Sequence, residues 1–161
     1  MLSVKEGEEV SVGNEQDIID SRDIHKRIQE IHDEGEGFER DVDAAKTQLA
    51  FVKLNSPDDE TSIEEHEGEV ADAEEKLSEH NRDTKGELET LEELKEAVGE
   101  DHLIRHTYWV QYAEELVKDI GDLPKNIPDY IVIDWEATAD NLLQDYSEVD
   151  YDGVTYYYRS H

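Results

Sequence analysis

The chain has 161 residues and a formal net charge of −30, with 45 aspartates and glutamates against 15 lysines and arginines. Charge of this size and sign repels nucleic acid and anionic membranes and attracts basic protein surfaces. The chain has no cysteine, which excludes disulfides and thiol chemistry, and no apolar run approaches the length that crosses a membrane. The sequence therefore predicts a soluble, cytoplasmic protein that binds neither nucleic acid nor a membrane directly.

The first segment, residues 1–15, has only a loose alternation of apolar residues, which glycines interrupt. The apolar residues are Leu2, Val4, Val10 and Val12, and the glycines are Gly7 and Gly13. Such a pattern is typical of a short edge strand or of a tail, and the sequence leaves both alternatives open.

From Gln16 to Leu54, apolar or small residues recur at alternating spacings of four and three. They are Ile24, Ile28, Ile31, Gly35, Phe38, Val42, Ala45, Leu49 and Val52. This spacing is typical of a helix that packs on another helix. A glycine in a helix interior costs about 1 kcal/mol, but the series keeps its phase through Gly35. It therefore predicts one helix over the whole segment.

A second helical segment runs from Pro57 to Val98, with Ser56 in position to cap it and Pro57 at its first turn. Its apolar positions continue for about five heptads, and at 1.5 Å per residue the helix would be roughly 60 Å long. A connection as short as Asn55-Ser56 forces two helices to run antiparallel. Residues 16–99 are therefore predicted to form an antiparallel coiled-coil hairpin, in which Gly35 faces His80.

Residues 100–161 are predicted to form a small C-terminal α+β domain. The apolar residues between Leu103 and Ile120 favour a third helix, and Asp134 suits the N-cap of a short fourth helix. Asp152-Gly153 lies between two alternating runs, which indicates a β-hairpin. We expect Trp135, Leu142 and Tyr156 to form the core of this domain, with Tyr112 and Leu116 docking the third helix. The predicted fold class is mostly α: a long helical hairpin plus a small α+β domain.

No residue pattern favours catalysis or metal binding. Di-metal bundles use a Glu-x-x-His spacing, and no glutamate stands three residues before His25, His32, His66, His80, His102 or His106. His102 and His106 also lack the glutamate of a zinc protease motif. Glu148, Asp150 and Asp152 resemble the first half of a calcium loop, but Arg159 stands where a bidentate glutamate is required. We therefore predict that the protein is not an enzyme and has no cofactor, and we hold a metal-dependent enzyme as a remote alternative.

The pattern of acidic residues is the feature that needs a function. Residues 57–98 contain 17 acidic residues against 4 lysines and arginines, and the two predicted helices together carry a net charge of −17. Over roughly 60 Å this is about one charge per 3.5 Å, or half the density of B-form DNA, which presents one charge per about 1.7 Å. A merely solvated helix face would usually interleave charges of opposite sign. The density favours a protein that enters a DNA-binding groove.

Residues 108–159 contain a series of short motifs: Tyr112-Ala113-Glu114-Glu115, Asp122-Leu123-Pro124, Ile133-Asp134-Trp135-Glu136-Ala137 with Ala139 and Leu142, Asp145-Tyr146, and Asp152-Gly153-Val154-x-Tyr156. With these motifs, the segment resembles the last domain of the ArdA antirestriction proteins. A coiled coil stands in place of the family's other domains. The resemblance implies an elongated acidic DNA mimic, typically a homodimer, that occupies the DNA-binding groove of type I restriction-modification enzymes.

The sequence thus favours an acidic DNA-mimic inhibitor of a DNA-binding protein complex, encoded by a phage or mobile element, with another DNA- or RNA-binding defence system as an alternative target. The other hypothesis is an acidic coiled-coil adaptor of a salt-adapted cell, without mimicry. The predicted partner-binding residues are Glu64, Glu65, Glu69, Asp72, Glu75, Glu79, Glu87, Asp134, Glu136 and Asp140.

Overall fold

The structure is a computed structural model that describes residues 12–159, and its chain divides into two compact units. The hairpin unit is Ile28–Leu91, and the sheet unit consists of the described residues before Ile28 and after Leu91. Most of the predicted tail or edge strand lies outside the described residues. In its described part, residues 12–15, no strand forms, and the Tyr151 hydroxyl donates a hydrogen bond to the Val12 carbonyl at 2.6 Å.

The first long helix, α1, spans Ser21–Asn55 and is continuous through Gly35 and Gly37, as predicted. The predicted start at Gln16 is wrong, because Ile18–Asp20 forms a strand, β1. The Asp20 carboxylate accepts a hydrogen bond from the Arg22 backbone N–H at 2.8 Å and so caps the helix. The Arg22 guanidinium donates to the same carboxylate, and these bonds lower the pKa of Asp20 to about 2.

The second long helix, α2, spans Glu60–Val98 and begins three residues later than predicted. Its cap is Asp59, whose carboxylate accepts a hydrogen bond from the Ser62 backbone N–H at 3.1 Å. The predicted cap, Ser56, instead lies in the turn between the helices, where its carbonyl accepts from the Asp59 N–H at 3.1 Å. Pro57 therefore belongs to the turn between the helices. This turn contains four residues, 56–59, rather than the predicted two, Asn55 and Ser56.

This assignment of the cap predicts an asymmetry between two neighbouring substitutions. Asp59→Ala should lower the free energy of unfolding by about 1 kcal/mol, because the amide of Ser62 loses its partner. Ser56→Ala should leave stability nearly unchanged. Chemical denaturation followed by circular dichroism measures both, and a larger loss for Ser56→Ala would show that the helix starts where the sequence suggested.

In the hairpin unit, α1 and α2 pack together as an antiparallel pair. Lys46 Nζ lies 3.1 Å from Glu74 Oε1, and Lys53 Nζ lies 2.8 Å from Glu67 Oε1. Residue numbers rise along α1 as they fall along α2, so the predicted antiparallel arrangement is confirmed. The buried side chains of this unit are Ile28, Ile31, Val42 and Leu91, whereas the seam residues Phe38 and Leu77 are half-buried. Within this unit each helix packs against only one other helix, so the outer parts of its seam side chains stay exposed to solvent.

The predicted contact between Gly35 and His80 is confirmed. A Cβ atom placed on Gly35 would lie 3.5 Å from His80 Nε2. The imidazole fills the space beside the glycine, where Nε2 lies 3.3 Å from the Ile31 carbonyl oxygen and the ring centroid lies 5.1 Å from that of Phe38. The missing side chain thus makes room for a large one on the facing helix.

The same geometry predicts that Gly35→Ala is stabilising. One methyl group at 3.5 Å from His80 is in ordinary contact, while alanine favours the helix by up to about 1 kcal/mol over glycine. Gly35→Leu should destabilise the protein, because the larger side chain would overlap the imidazole. Urea denaturation of the two variants provides the test, and a loss of stability in the alanine variant would contradict this packing.

The sheet unit contains a four-stranded antiparallel sheet in the order β1-β2-β4-β3. Strand β2 is His102–Arg105, β3 is Tyr146–Tyr151 and β4 is Val154–Arg159. The third helix, α3, is Trp109–Asp119, so the prediction that it starts near Leu103 is wrong. Leu103 and Ile104 are both buried although adjacent residues of a strand face opposite sides of the sheet, so both faces of the sheet are covered at this strand.

The predicted β-hairpin at Asp152-Gly153 is confirmed, and it joins β3 to β4. Both turn residues have positive φ, 48° for Asp152 and 84° for Gly153, as a two-residue type I′ turn requires. The Asp150 carboxylate accepts a hydrogen bond from the Gly153 N–H at 3.0 Å. This carboxylate therefore stabilises the turn, in agreement with a hairpin rather than a calcium loop.

The core of the sheet unit is built around Trp109, which the sequence did not single out. Trp109 is 3% exposed, and its Nε1–H donates a hydrogen bond to the Ala139 carbonyl at 2.9 Å. Ala139 belongs to the fourth helix, α4, Trp135–Leu142, which Asp134 caps as predicted. Tyr156 is buried as expected, but Trp135 and Leu142 are only half-buried.

Candidate partner-binding face

The ten acidic residues predicted to bind a partner fall in two separate parts of the structure. Glu64, Glu65, Glu69, Asp72, Glu75, Glu79 and Glu87 lie on α2 in the hairpin unit. Asp134, Glu136 and Asp140 lie on α4 or at its start, in the sheet unit. Each group is therefore considered by itself.

Six of the α2 residues form a continuous surface that we call the α2 acidic face. They are Glu64, Glu65, Glu69, Asp72, Glu75 and Glu79, and all six are exposed. At about 100° per residue, their side chains fall within an arc of about 140°. The seam residues Val70 and Leu77 lie on the opposite side of the helix. The six carboxylates thus point to solvent together, because seam packing fixes the rotation of α2.

The α2 acidic face carries little compensating charge. Within residues 12–159 none of its six carboxylates forms an ion pair. Lys46 and Lys53 of α1 instead pair with Glu74 and Glu67, which flank the seam. Lys76 is the only lysine or arginine between Glu64 and Glu79 in the sequence. The packing of the helices therefore separates acids that stabilise the hairpin from acids that remain available to a partner.

The carboxylates of the α2 acidic face follow one another at nearly the spacing of phosphates. Glu64 and Glu79 are separated by about 22 Å along the helix axis, so the six residues are spaced about 4.5 Å apart on average, in steps of one to four residues. Phosphates of one DNA strand repeat about every 3.4 Å along the duplex axis. A groove whose lysines and arginines are matched to one strand would meet a similar row of charges here.

The other four predicted residues have different surroundings. Glu87 is half-buried and interacts with a further group, so it does not belong to the α2 acidic face. The Asp134 carboxylate accepts a hydrogen bond from the Ala137 N–H at 3.0 Å, which gives it a capping role. Glu136 and Asp140 are exposed one turn apart on α4 and form a second, smaller acidic patch.

Glu67 and Glu74 are two further acids of α2 that are not among the predicted partner-binding residues, and the structure pairs both with lysines of α1. Positions that flank the seam of paired helices commonly form salt bridges between the helices. The lysines of these salt bridges, Lys46 and Lys53, lie seven residues apart on α1, as the two glutamates do on α2. The two pairs thus repeat with the heptad.

Two further histidines, His66 and His102, each contact a group of their own unit. His66 Nδ1 lies 2.7 Å from the Ser62 carbonyl oxygen of its own helix. His102 lies on β2, where Nε2 is 3.2 Å from the Tyr112 hydroxyl, and His106 lies outside that strand, so the two do not share a helix face. Between residues 12 and 159, no three acidic or histidine side chains are grouped as metal ligands would be, and no helix could cross a membrane.

The sequence matches no protein-family model, and neither a curated protein nor a solved structure is significantly similar to it. The resemblance of residues 108–159 to the ArdA proteins stays a prediction that rests on the residues quoted for it. A function for this chain is therefore inferred from its charge and geometry.

Proposed function

We propose that this protein is an acidic DNA mimic that inhibits a nucleic-acid-binding defence enzyme by occupying its DNA-binding groove. The observation that carries this proposal is the α2 acidic face, six exposed carboxylates that form no ion pair within residues 12–159 and whose average spacing along the helix is close to that of phosphates. The protein acts without catalysis, because binding alone blocks the groove. A restriction-modification complex is the first target to test, in view of the resemblance to ArdA proteins.

The distribution of lysines supports mimicry over simple solubility. Solubility in high salt requires many acids but no particular placement of them. In the hairpin unit, Lys46 and Lys53 lie where they stabilise the helix pair, and the α2 acidic face keeps its charge. At about 100° per residue Lys76 falls within the arc of this face, so six carboxylates are accompanied by one lysine. The remaining excess of negative charge is what a charged binding surface requires.

The energetics of such a complex follow from its exposed charges. Each carboxylate that meets a lysine or arginine at a partly solvated interface contributes only a fraction of a kcal/mol. A row of six acts together, speeds association, and makes the affinity fall steeply as salt screens the charges. Competition with DNA is the property that separates a mimic from an adaptor, because only a mimic occupies the groove itself.

Inhibition of a purified type I restriction-modification enzyme tests the proposal directly. We expect the protein to inhibit DNA cleavage in proportion to its concentration, and excess non-cleavable DNA to displace it from the enzyme. Pull-down from a bacterial lysate, followed by elution with duplex DNA, extends the test to other nucleic-acid enzymes. Captured partners that duplex DNA does not displace, together with no inhibition of any nucleic-acid enzyme recovered, would favour the adaptor hypothesis.

A further inference from the structure

The connection between α3 and α4 exposes a run of large apolar side chains, Tyr130–Ile133. Tyr130 is 85% exposed, Ile131 52% and Val132 90%, while Ile133 is half-buried. Exposed apolar residues are common singly, but a contiguous run in so charged a chain marks an interaction site. None of these residues belongs to a helix or to the sheet.

The backbone of this run is available for pairing with a strand. The Ile131 N–H donates to the Pro128 carbonyl at 2.9 Å, which closes a turn. Beyond that turn, no residue between 12 and 159 forms a hydrogen bond with the backbone of Val132 or Ile133. Three of the four residues are β-branched, and the fourth is an aromatic residue that strands also favour. Successive N–H groups of a strand point to opposite edges, and the Ile131 N–H already binds the Pro128 carbonyl. An incoming strand would therefore pair with the other edge, through Val132, and cover the exposed side chains.

Charge argues against a second copy of this chain as the incoming strand. Asp129 and Asp134 bracket the run. If two copies of the run paired in register, each aspartate would face another aspartate, in either strand direction, and like charges directly opposite are destabilising. The two edge strands of the sheet are also acidic, since β1 ends in Asp20 and β3 carries Glu148 and Asp150.

We propose that Tyr130–Ile133 binds an extended segment of another protein, in which lysines or arginines bracket an apolar centre. The apolar centre would cover Tyr130 and Val132, and the flanking cations would meet Asp129 and Asp134. This site belongs to the sheet unit and shares no residue with the α2 acidic face, so this proposal does not depend on whether that face mimics DNA.

A short synthetic peptide tests the proposal, with a Val-Thr-Val-Tyr centre between two pairs of arginines. Two control peptides are used: one replaces the arginines by glutamates, and the other keeps the arginines but has proline at alternate central positions. Amide hydrogen exchange of the full chain is measured by NMR with each peptide. We expect only the first peptide to slow exchange at Val132, by about tenfold or more, since only it can pair with the edge on which the Val132 N–H lies.

Two variants of the protein complete the test. Val132→Pro should abolish binding of the first peptide, because proline has no N–H and cannot pair, whereas Val132→Thr should keep both binding and the protection of the amide at position 132. The proposal is overturned if the two arginine peptides bind equally without protecting this amide, because binding would then reflect charge alone. It is also overturned if the amide is protected without any peptide and loses protection on dilution, because a second copy would then be the occupant.

Discussion

Replacing all six carboxylates of the α2 acidic face by their amides is expected to weaken target binding by about a hundredfold or more. Each exposed ion pair contributes only a fraction of a kcal/mol, so single substitutions should have little effect and the combined effect should be large. The residual affinity should depend less on salt, because fewer charges take part. The measurement is inhibition of the target enzyme, or binding to it, over a range of salt concentrations.

The fold of this variant should be retained and its hairpin made slightly more stable. Glu65 and Glu69, like Glu75 and Glu79, are like charges one turn apart, and they destabilise a helix. Circular dichroism and thermal unfolding check this point. A rise in helicity together with lost binding would separate the partner-binding role of these residues from any role in folding.

A matched control neutralises the same number of exposed acids elsewhere. Suitable positions are Glu39, Asp43, Glu96, Asp119, Asp122 and Asp145, all exposed and without an ion pair among residues 12–159. This variant has the same net charge as the first. It should keep most of the affinity if the arrangement of carboxylates matters. Equal losses in both variants would mean that only total charge matters, and DNA mimicry would be abandoned.

Trp109→Ala is expected to have the largest effect of any single substitution on the stability of the sheet unit. The indole is buried, its ring centroid lies 4.7 Å from that of Tyr146 and 5.4 Å from that of Tyr157, and its N–H binds the Ala139 carbonyl. Its removal should lower the free energy of unfolding by about 3 to 5 kcal/mol, since it leaves a cavity and an unsatisfied carbonyl. Thermal or urea unfolding monitored in the near ultraviolet measures the change.

The second tryptophan provides the matched control for this prediction. Trp135 is half-buried, and Lys118 Nζ lies 5.7 Å from its ring centroid. Trp135→Ala should therefore cost much less than Trp109→Ala. Trp109→Phe should lie between the two, because one aromatic ring is kept while the five-membered ring of the indole and its N–H bond are lost. A larger effect at Trp135 would support the core that the sequence suggested.

The long helices could be predicted because their signal is local. Spacings of four and three continue through most of α1 and α2, and a short turn between two such helices leaves only an antiparallel pairing. The contact between Gly35 and His80 followed from counting residues from that turn. In the same way, the Asp152-Gly153 turn could be predicted because those two residue types favour positive φ.

The strands β1 and β2 could not be predicted, because nothing local distinguishes them. Three or four residues are too few to show a period, and their apolar residues continue the helical series of their neighbours. These residues form strands because they pair with residues far away in the sequence: Ile18 pairs with Ile104, and Ile19 pairs with Leu103. The predicted core was centred on Trp135 rather than Trp109 for the same reason. Trp109 becomes central only when α4 and β4 pack around it.

The candidate site was predicted in composition but not in detail. The acids of α2 could be counted from the sequence, and the predicted site residues already leave out Glu67 and Glu74. Which lysines these two glutamates pair with depends on how α2 packs against α1. In the sequence, Tyr130–Ile133 is no more than a short apolar run. Its exposure depends on the whole sheet unit, which leaves this run uncovered.

The pairing of β1 with β2 has a consequence for the order of folding. Asp20 pairs with His102, so about eighty residues, nearly all of them in α1, the turn and α2, separate two strands that must meet. Closing so long a flexible loop for a few strand hydrogen bonds is entropically unfavourable. An antiparallel helix pair forms from local contacts and brings its two open ends together in advance. The hairpin should therefore form before β1 joins the sheet, and substitutions along its seam should slow folding more than substitutions in β1 do.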